Sequence, residues 1–185
     1  MKRLIAAFAA VLVCLSALAQ APIVGSWTYT DKESENASED GVDADLKMEG
    51  IDNLRFAADG TYFHEMIAIV TIEGSKDGKT MTMGMTLTAS CTGSWDNAAG
   101  QLVLTPDKKT KPKVEVKSDG FPAILKVLLI NPLKSEMKKA IKETEYYSVI
   151  SVSDKQLVLK DMDAPGTKKP SKPEDLKTQT YTRVL

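Results

Sequence analysis

From Thr80 to Cys91 the chain alternates without an error. Met81, Met83, Met85, Leu87, Ala89 and Cys91 hold one set of positions, and Thr80, Thr82, Gly84, Thr86, Thr88 and Ser90 hold the other. A repeat of two is the side-chain repeat of a β-strand, whereas a helix repeats every 3.6 residues. The segment is therefore a strand with one apolar face and one hydroxyl-rich face. Its register is pinned, because a slip of one residue would turn every apolar side chain to water. Such a strand belongs in an antiparallel sheet with one face on a core and the other wet.

The rest of the chain repeats the theme in shorter pieces. Composition predicts further strands over Val24–Thr30, Ile51–Ala57, Thr61–Ile72, Gly93–Asp96, Gln101–Thr105 and Lys113–Lys117, and over 144–152, 156–161 and 177–184. Ala58-Asp59-Gly60, Gly74-Ser75-Lys76-Asp77-Gly78 and Asn97-Ala98-Ala99-Gly100 supply turn residues between them. Asp31–Asp45, with seven acidic residues against one lysine, reads as a solvated loop. Many short strands with turns between them predict an antiparallel sandwich or barrel. One helical insertion, about 121–143, interrupts the pattern. Pro122 opens a nearly all-apolar stretch over 123–130. Asn131-Pro132 then reads as the N-cap and first turn of an amphipathic helix, with Leu133, Met137, Ala140 and Ile141 on one face.

The first residues fix the setting. Met1-Lys2-Arg3 is followed by an apolar run over 4–19 that ends in Ala17-Leu18-Ala19. A charged start, an apolar stretch and small residues at the end predict a secretory signal peptide over 1–19, cleaved after Ala19. The mature chain, 20–185, is then a single exported domain, periplasmic or extracellular. The apolar run is shorter than the roughly 20 residues of a spanning helix, so no stable membrane span is expected in the mature form. Val13 precedes Cys14 where a lipidated cysteine would follow a small residue. After cleavage one cysteine remains, Cys91, so no internal disulfide forms and stability rests on an apolar core.

Function classes fall away by composition. A formal charge of −1 argues against a nucleic-acid partner bound by bulk electrostatics. A single histidine, His64, excludes a multi-histidine metal site. No Gly-rich phosphate loop, GxSxG elbow or HExxH helix occurs. No enzyme activity and no cofactor are expected.

Three features carry what chemistry there is. Met81, Met83 and Met85 make a soft, polarizable wall, read as plain core packing, as the adaptable wall of a ligand cavity, or as thioether ligands for copper(I). His64 shares a strand face with Tyr62, Met66, Ala68 and Val70. It reads as a hydrogen-bonded histidine inside or near a barrel mouth. The sharper alternative makes it the base for a Cys91 nucleophile, against which stands the apolar face that Cys91 occupies. Residues 108–142 hold ten lysines against Glu115, Asp119 and Glu136. That stretch is a solvated surface, or a basic rim that attracts an anionic head group or membrane surface.

Gly25-Ser26-Trp27 on the first mature strand resembles the Gly-x-Trp signature of lipocalins and their bacterial lipocalin-like relatives. Phe56-Ala57-Ala58-Asp59-Gly60-Thr61-Tyr62, Gly93-Ser94-Trp95 with Leu102-Val103-Leu104, and Tyr181-Thr182-Arg183 resemble later strands of that group. The resemblance spans most of the mature chain through short motifs. It implies an antiparallel up-and-down β-barrel around a cavity for a small, mostly apolar ligand, with Trp27 and Arg183 as a closure pair. The chain departs from the family in having three strands after its helix and no disulfide.

The expectation is an all-β protein with one helical insertion, binding a small hydrophobic or amphipathic ligand, with an anionic lipid-like molecule among the options. The ligand-binding positions expected are Tyr62, His64, Met66, Met81, Met83, Met85, Leu128 and Ile130. The alternative is a structural or interaction protein of the cell envelope, its barrel filled by its own side chains. A ligand cavity has a volume of about 300 Å³ or more, and a packed core has none.

Overall fold

The structure, a computed structural model, describes residues 22–39, 42–76, 79–109, 113–119 and 130–184. The expected leader with its cleavage motif, Cys14, and the apolar stretch over 121–129 with Leu128 lie outside the described residues. Among the described residues there are nine strands and one α-helix. The strands are β1 (Gly25–Glu39), β2 (Val42–Phe56), β3 (Thr61–Lys76), β4 (Lys79–Ala98), β5 (Gln101–Pro106), β6 (Lys113–Asp119), β7 (Glu145–Val152), β8 (Gln156–Asp161) and β9 (Thr178–Val184). The helix, α1 (Asn131–Ala140), lies between β6 and β7. No helix among the described residues is long and apolar enough to cross a membrane.

All pairings are antiparallel, and β1, β2, β3, β4, β5, β7, β8 and β9 close into an eight-stranded barrel. Closure is confined to one end. β9 pairs with β1 only over Ser26–Thr28, while β2 follows β1 along its whole length. On the far side, β5 takes the last residues of β4, Gly93–Ala98, and β6 takes Gly84–Ser90. The long strands β1 to β4 therefore run past the barrel as a sheet bordered by β6. α1 packs against β6 and β4 at this open end.

Local chemistry explains the connections. Ala99 and Gly100 both have positive φ, at 52° and 79°, and join β4 to β5 as a two-residue hairpin turn. Turns of that hand match the right-handed twist of the flanking strands.

Two expectations are corrected here. The acidic segment 31–45 is strand wherever it is described, not loop. Pairing along the whole β1–β2 hairpin supplies the backbone partners that outweigh the low strand propensity of its acids, and Lys32 Nζ sits 3.2 Å from Glu49 across the ladder. Asn131 is also not the helix cap. Ile130 is already helical, at φ −71° and ψ −42°, and no side chain caps the end, so Asn131 and Pro132 fall inside the first turn.

The closed end is filled. Trp27, Leu54, Phe56, Tyr62, Trp95, Leu102, Leu104, Leu157, Leu159 and Tyr181 are all buried there on the inward positions of their strands. Phe56 and Trp95 meet edge to face at 5.2 Å, and each tryptophan donates to a backbone carbonyl, Trp27 to Ile23 and Trp95 to Ala57.

Candidate functional site

The Gly-x-Trp phrase owes its glycine to an arginine. Gly25 has φ +140°, and a Cβ there would stand 2.9 Å from Nη1 of Arg183. Arg183 faces Trp27 across the β1–β9 ladder and lays its guanidinium 4.4 Å from the indole centroid. Its two terminal nitrogens donate to the carbonyls of Val24 and Pro22, at 3.3 and 3.0 Å. One side chain thus ties the last strand to the chain's entry into the first.

Above this floor the barrel holds a polar chain. His64 on β3 is 3% exposed, and its Nε2 lies 2.6 Å from Oδ1 of Asp52 on β2. The other Asp52 oxygen accepts a 2.6 Å hydrogen bond from the Tyr181 hydroxyl. His64 Nδ1 turns toward Glu145 of β7 at 3.8 Å, and Glu145 in turn accepts from the Tyr147 hydroxyl at 3.0 Å. One imidazole therefore sits between two carboxylates, each fastened by a tyrosine.

Burial sets the protonation of this chain. Burial alone would lower the His64 pKa, but the hydrogen bond and charge of Asp52, with the charge of Glu145, outweigh it and hold His64 above its ordinary value. Burial pushes the Glu145 carboxyl up, against the pull of His64. Burial also raises Tyr147 and Tyr181 far above the usual phenol range, so both remain donors. The arrangement can hold a proton and rigidify the core. It does not build a thiol nucleophile. Cys91 faces His64 in register, yet both imidazole nitrogens turn to carboxylates, while the Cys91 sulfur lies 3.9 Å from the Tyr62 hydroxyl. Burial pushes the Cys91 thiol up to about 11.

A cavity of about 540 Å³ opens at the other end. Leu46, Ala68, Val70, Ile72, Met85 and Leu87 form its wall from β2, β3 and β4. Leu133 and Met137 of α1 close the opposite side, and Asp31 and Glu33 of β1 form its polar edge. A larger groove, about 710 Å³, lies outside the barrel among Arg55, Phe63, Thr92, Ser94 and Lys108. Most of its wall comes from outward positions of the strands, with the buried Tyr62 reaching it from the interior, so it lacks the convergent apolar faces of a small-molecule site.

The expected ligand positions scatter across these regions. Met85 lines the cavity. Met83 is half-buried against the core, and Met66 packs in the layer between the cavity and His64. Tyr62 and His64 belong to the packed interior, and Ile130 is buried where α1 begins. Met81 departs from the expectation of a buried methionine face: it is 61% exposed, because β4 continues beyond the core that covers Met85 and Leu87. Sequence reasoning passed over Asp52, Glu145, Tyr147 and Tyr181 in the polar chain, and Leu46, Asp31, Glu33 and Met137 at the cavity. A signal was available. Asp52 is in phase with Leu54 and Phe56, so a carboxylate was due to point inward. The sequence matches no known protein-family profile and no curated protein.

Proposed function

We propose that this chain is an exported binding protein for a small hydrophobic or amphipathic molecule, held in the cavity between the β1–β4 sheet and α1. The observation that carries the reading is the cavity itself. Its volume of about 540 Å³ lies within the range of about 300–1,000 Å³ in which small ligands are enclosed, and its wall is almost wholly apolar. The start of the sequence supports export. The filled closed end leaves the open end as the place where a ligand would fit.

The test uses delipidated protein and a neutral apolar fluorophore, N-phenyl-naphthylamine. Binding with micromolar affinity or tighter is expected. Leu133→Asp should weaken it at least tenfold while circular dichroism stays unchanged, because Leu133 is 41% exposed on the cavity side of α1 and the core does not depend on it. Absence of uptake by the unaltered protein would remove the proposal.

A further inference from the structure

We propose that the cavity selects cationic amphiphiles: an apolar body bearing a protonated amine, the ammonium held beside Asp31 and Glu33. This rests on the cavity being a ligand site, and it names which charge the ligand carries.

The strand register builds an amphipathic surface. One row across the sheet reads Asp31, Gly50, Ala68, Leu87 and Val116 from β1 to β6. The next reads Glu33, Met48, Val70, Met85 and Ser118. Each row starts with a carboxylate and runs into apolar side chains. A ligand laid across the strands would place its head at β1 and its tail toward β4. With strands about 4.8 Å apart, that path is roughly 14 Å long.

The row of Asp31 also leaves room for a head group. A Cβ built on Gly50, directly opposite Asp31, meets nothing within 4 Å. The next residue in the row, Ala68, is small. Asp31 can face its side because β9 has stopped pairing with β1 by Thr28.

The charge bias is one-sided. Among the described residues, the cavity wall carries carboxylates and neither ammonium nor guanidinium groups. Its third acid, Glu49, already faces Lys32 at 3.2 Å. The lysines of this region point elsewhere: Lys113 and Lys117 are exposed on β6, alternating with the half-buried Val114 and Val116, and Lys134, Lys138 and Lys139 are exposed on α1. The described lysines of that stretch, which as a sequence favours an anionic head, therefore face solvent, and the cavity offers the opposite sign.

Isothermal titration of the delipidated protein with decylamine, decanol and decanoate, below their aggregation limits and at low ionic strength, tests this. The amine should bind roughly tenfold tighter than the alcohol, the gain expected from one or two carboxylates near a partly solvated ammonium. Decanoate should bind more weakly than the alcohol. The double variant Asp31→Asn, Glu33→Gln should bring the amine down to the alcohol and leave the alcohol unchanged. Gly50→Leu, which fills the space opposite Asp31, should weaken the amine at least tenfold. Equal affinities for amine and alcohol, tightest binding of decanoate, or an amine preference that survives the double variant would overturn the charge inference and leave the cavity reading standing. If none of the three binds, the cavity reading fails and this inference with it.

Discussion

His64 is an imidazole buried inside the barrel, with Asp52 at 2.6 Å on one ring nitrogen and Glu145 at 3.8 Å on the other. Its folded pKa is raised, so the folded state holds the proton more tightly than the unfolded chain does. The stability this contributes is complete below the unfolded value near 6.5 and is lost as pH climbs through the raised folded value. Glu145 acts in the same direction. Its carboxyl is raised above 4.5, so folding favours the neutral form, and ionisation at higher pH costs stability. The urea midpoint is therefore expected to fall as pH rises above the unfolded histidine value of about 6.5. His64→Gln should lower stability by about 2 kcal/mol on the acid side, where the charged hydrogen bond is lost, and should make the pH slope shallower. A midpoint that rises with pH, or a slope untouched by His64→Gln, would show that the imidazole is not the titrating group. The histidine was legible as an interior hydrogen-bonded residue. Its partners were not, because Asp52 and Glu145 come from strands 93 positions apart in the sequence, and only the barrel ring brings them together.

At the scale of elements, strands were legible and their lengths were not. The alternation of Thr80–Cys91 and the three strands after the helix follow from local chemistry, and the turn expected over 97–100 forms at Ala99-Gly100, with Asn97 and Ala98 still in β4. The outer half of the β1–β2 hairpin did not follow from it, since its acids suit solvent as well as strand, and Val42, Leu46 and Met48 were its few large apolar cues. Pairing with a neighbour, a non-local property, decides such a segment. β4 holds a second non-local feature at Gly93, where its partner changes from β6 to β5. A Cβ on Gly93 would fall 2.6 Å from the Tyr62 ring and 2.9 Å from Cα of Pro106, and it would press on the Thr105 carbonyl. Backbone cannot move aside as a flexible side chain can. Gly93→Ala should destabilise by about 1–3 kcal/mol in urea unfolding, the range for an overpacked core. Gly84→Ala, on the same strand with nothing within 4 Å of its added carbon, serves as the control and should cost little. Equal effects at the two positions would mean that β4 and β5 do not approach at Gly93.

The whole molecule divides its work between two ends of one barrel. At the closed end, aromatic side chains fill the lumen and Arg183 joins the last strand to the first. At the open end, no described strand joins β1 to β6, and α1 stands beside the cavity. The short Gly-x-Trp and late-arginine phrases lie at the closed end, where packing constrains residue type. The cavity depends on strand register and on where closure stops, which no short phrase records. This separation makes a prediction. Arg183→Ala removes a guanidinium over an indole and two hydrogen bonds to Val24 and Pro22, so stability should fall by roughly 2–4 kcal/mol. Combined with Trp27→Phe, the losses should be non-additive by at least about 0.5 kcal/mol, since the side chains touch. Yet the affinity for N-phenyl-naphthylamine, measured well below the variant's unfolding transition, should stay within about twofold, because no residue of the closure pair lines the cavity. A variant that lost stability and affinity together would show the two ends to be mechanically coupled, and the open end would then owe its shape to ring closure below it.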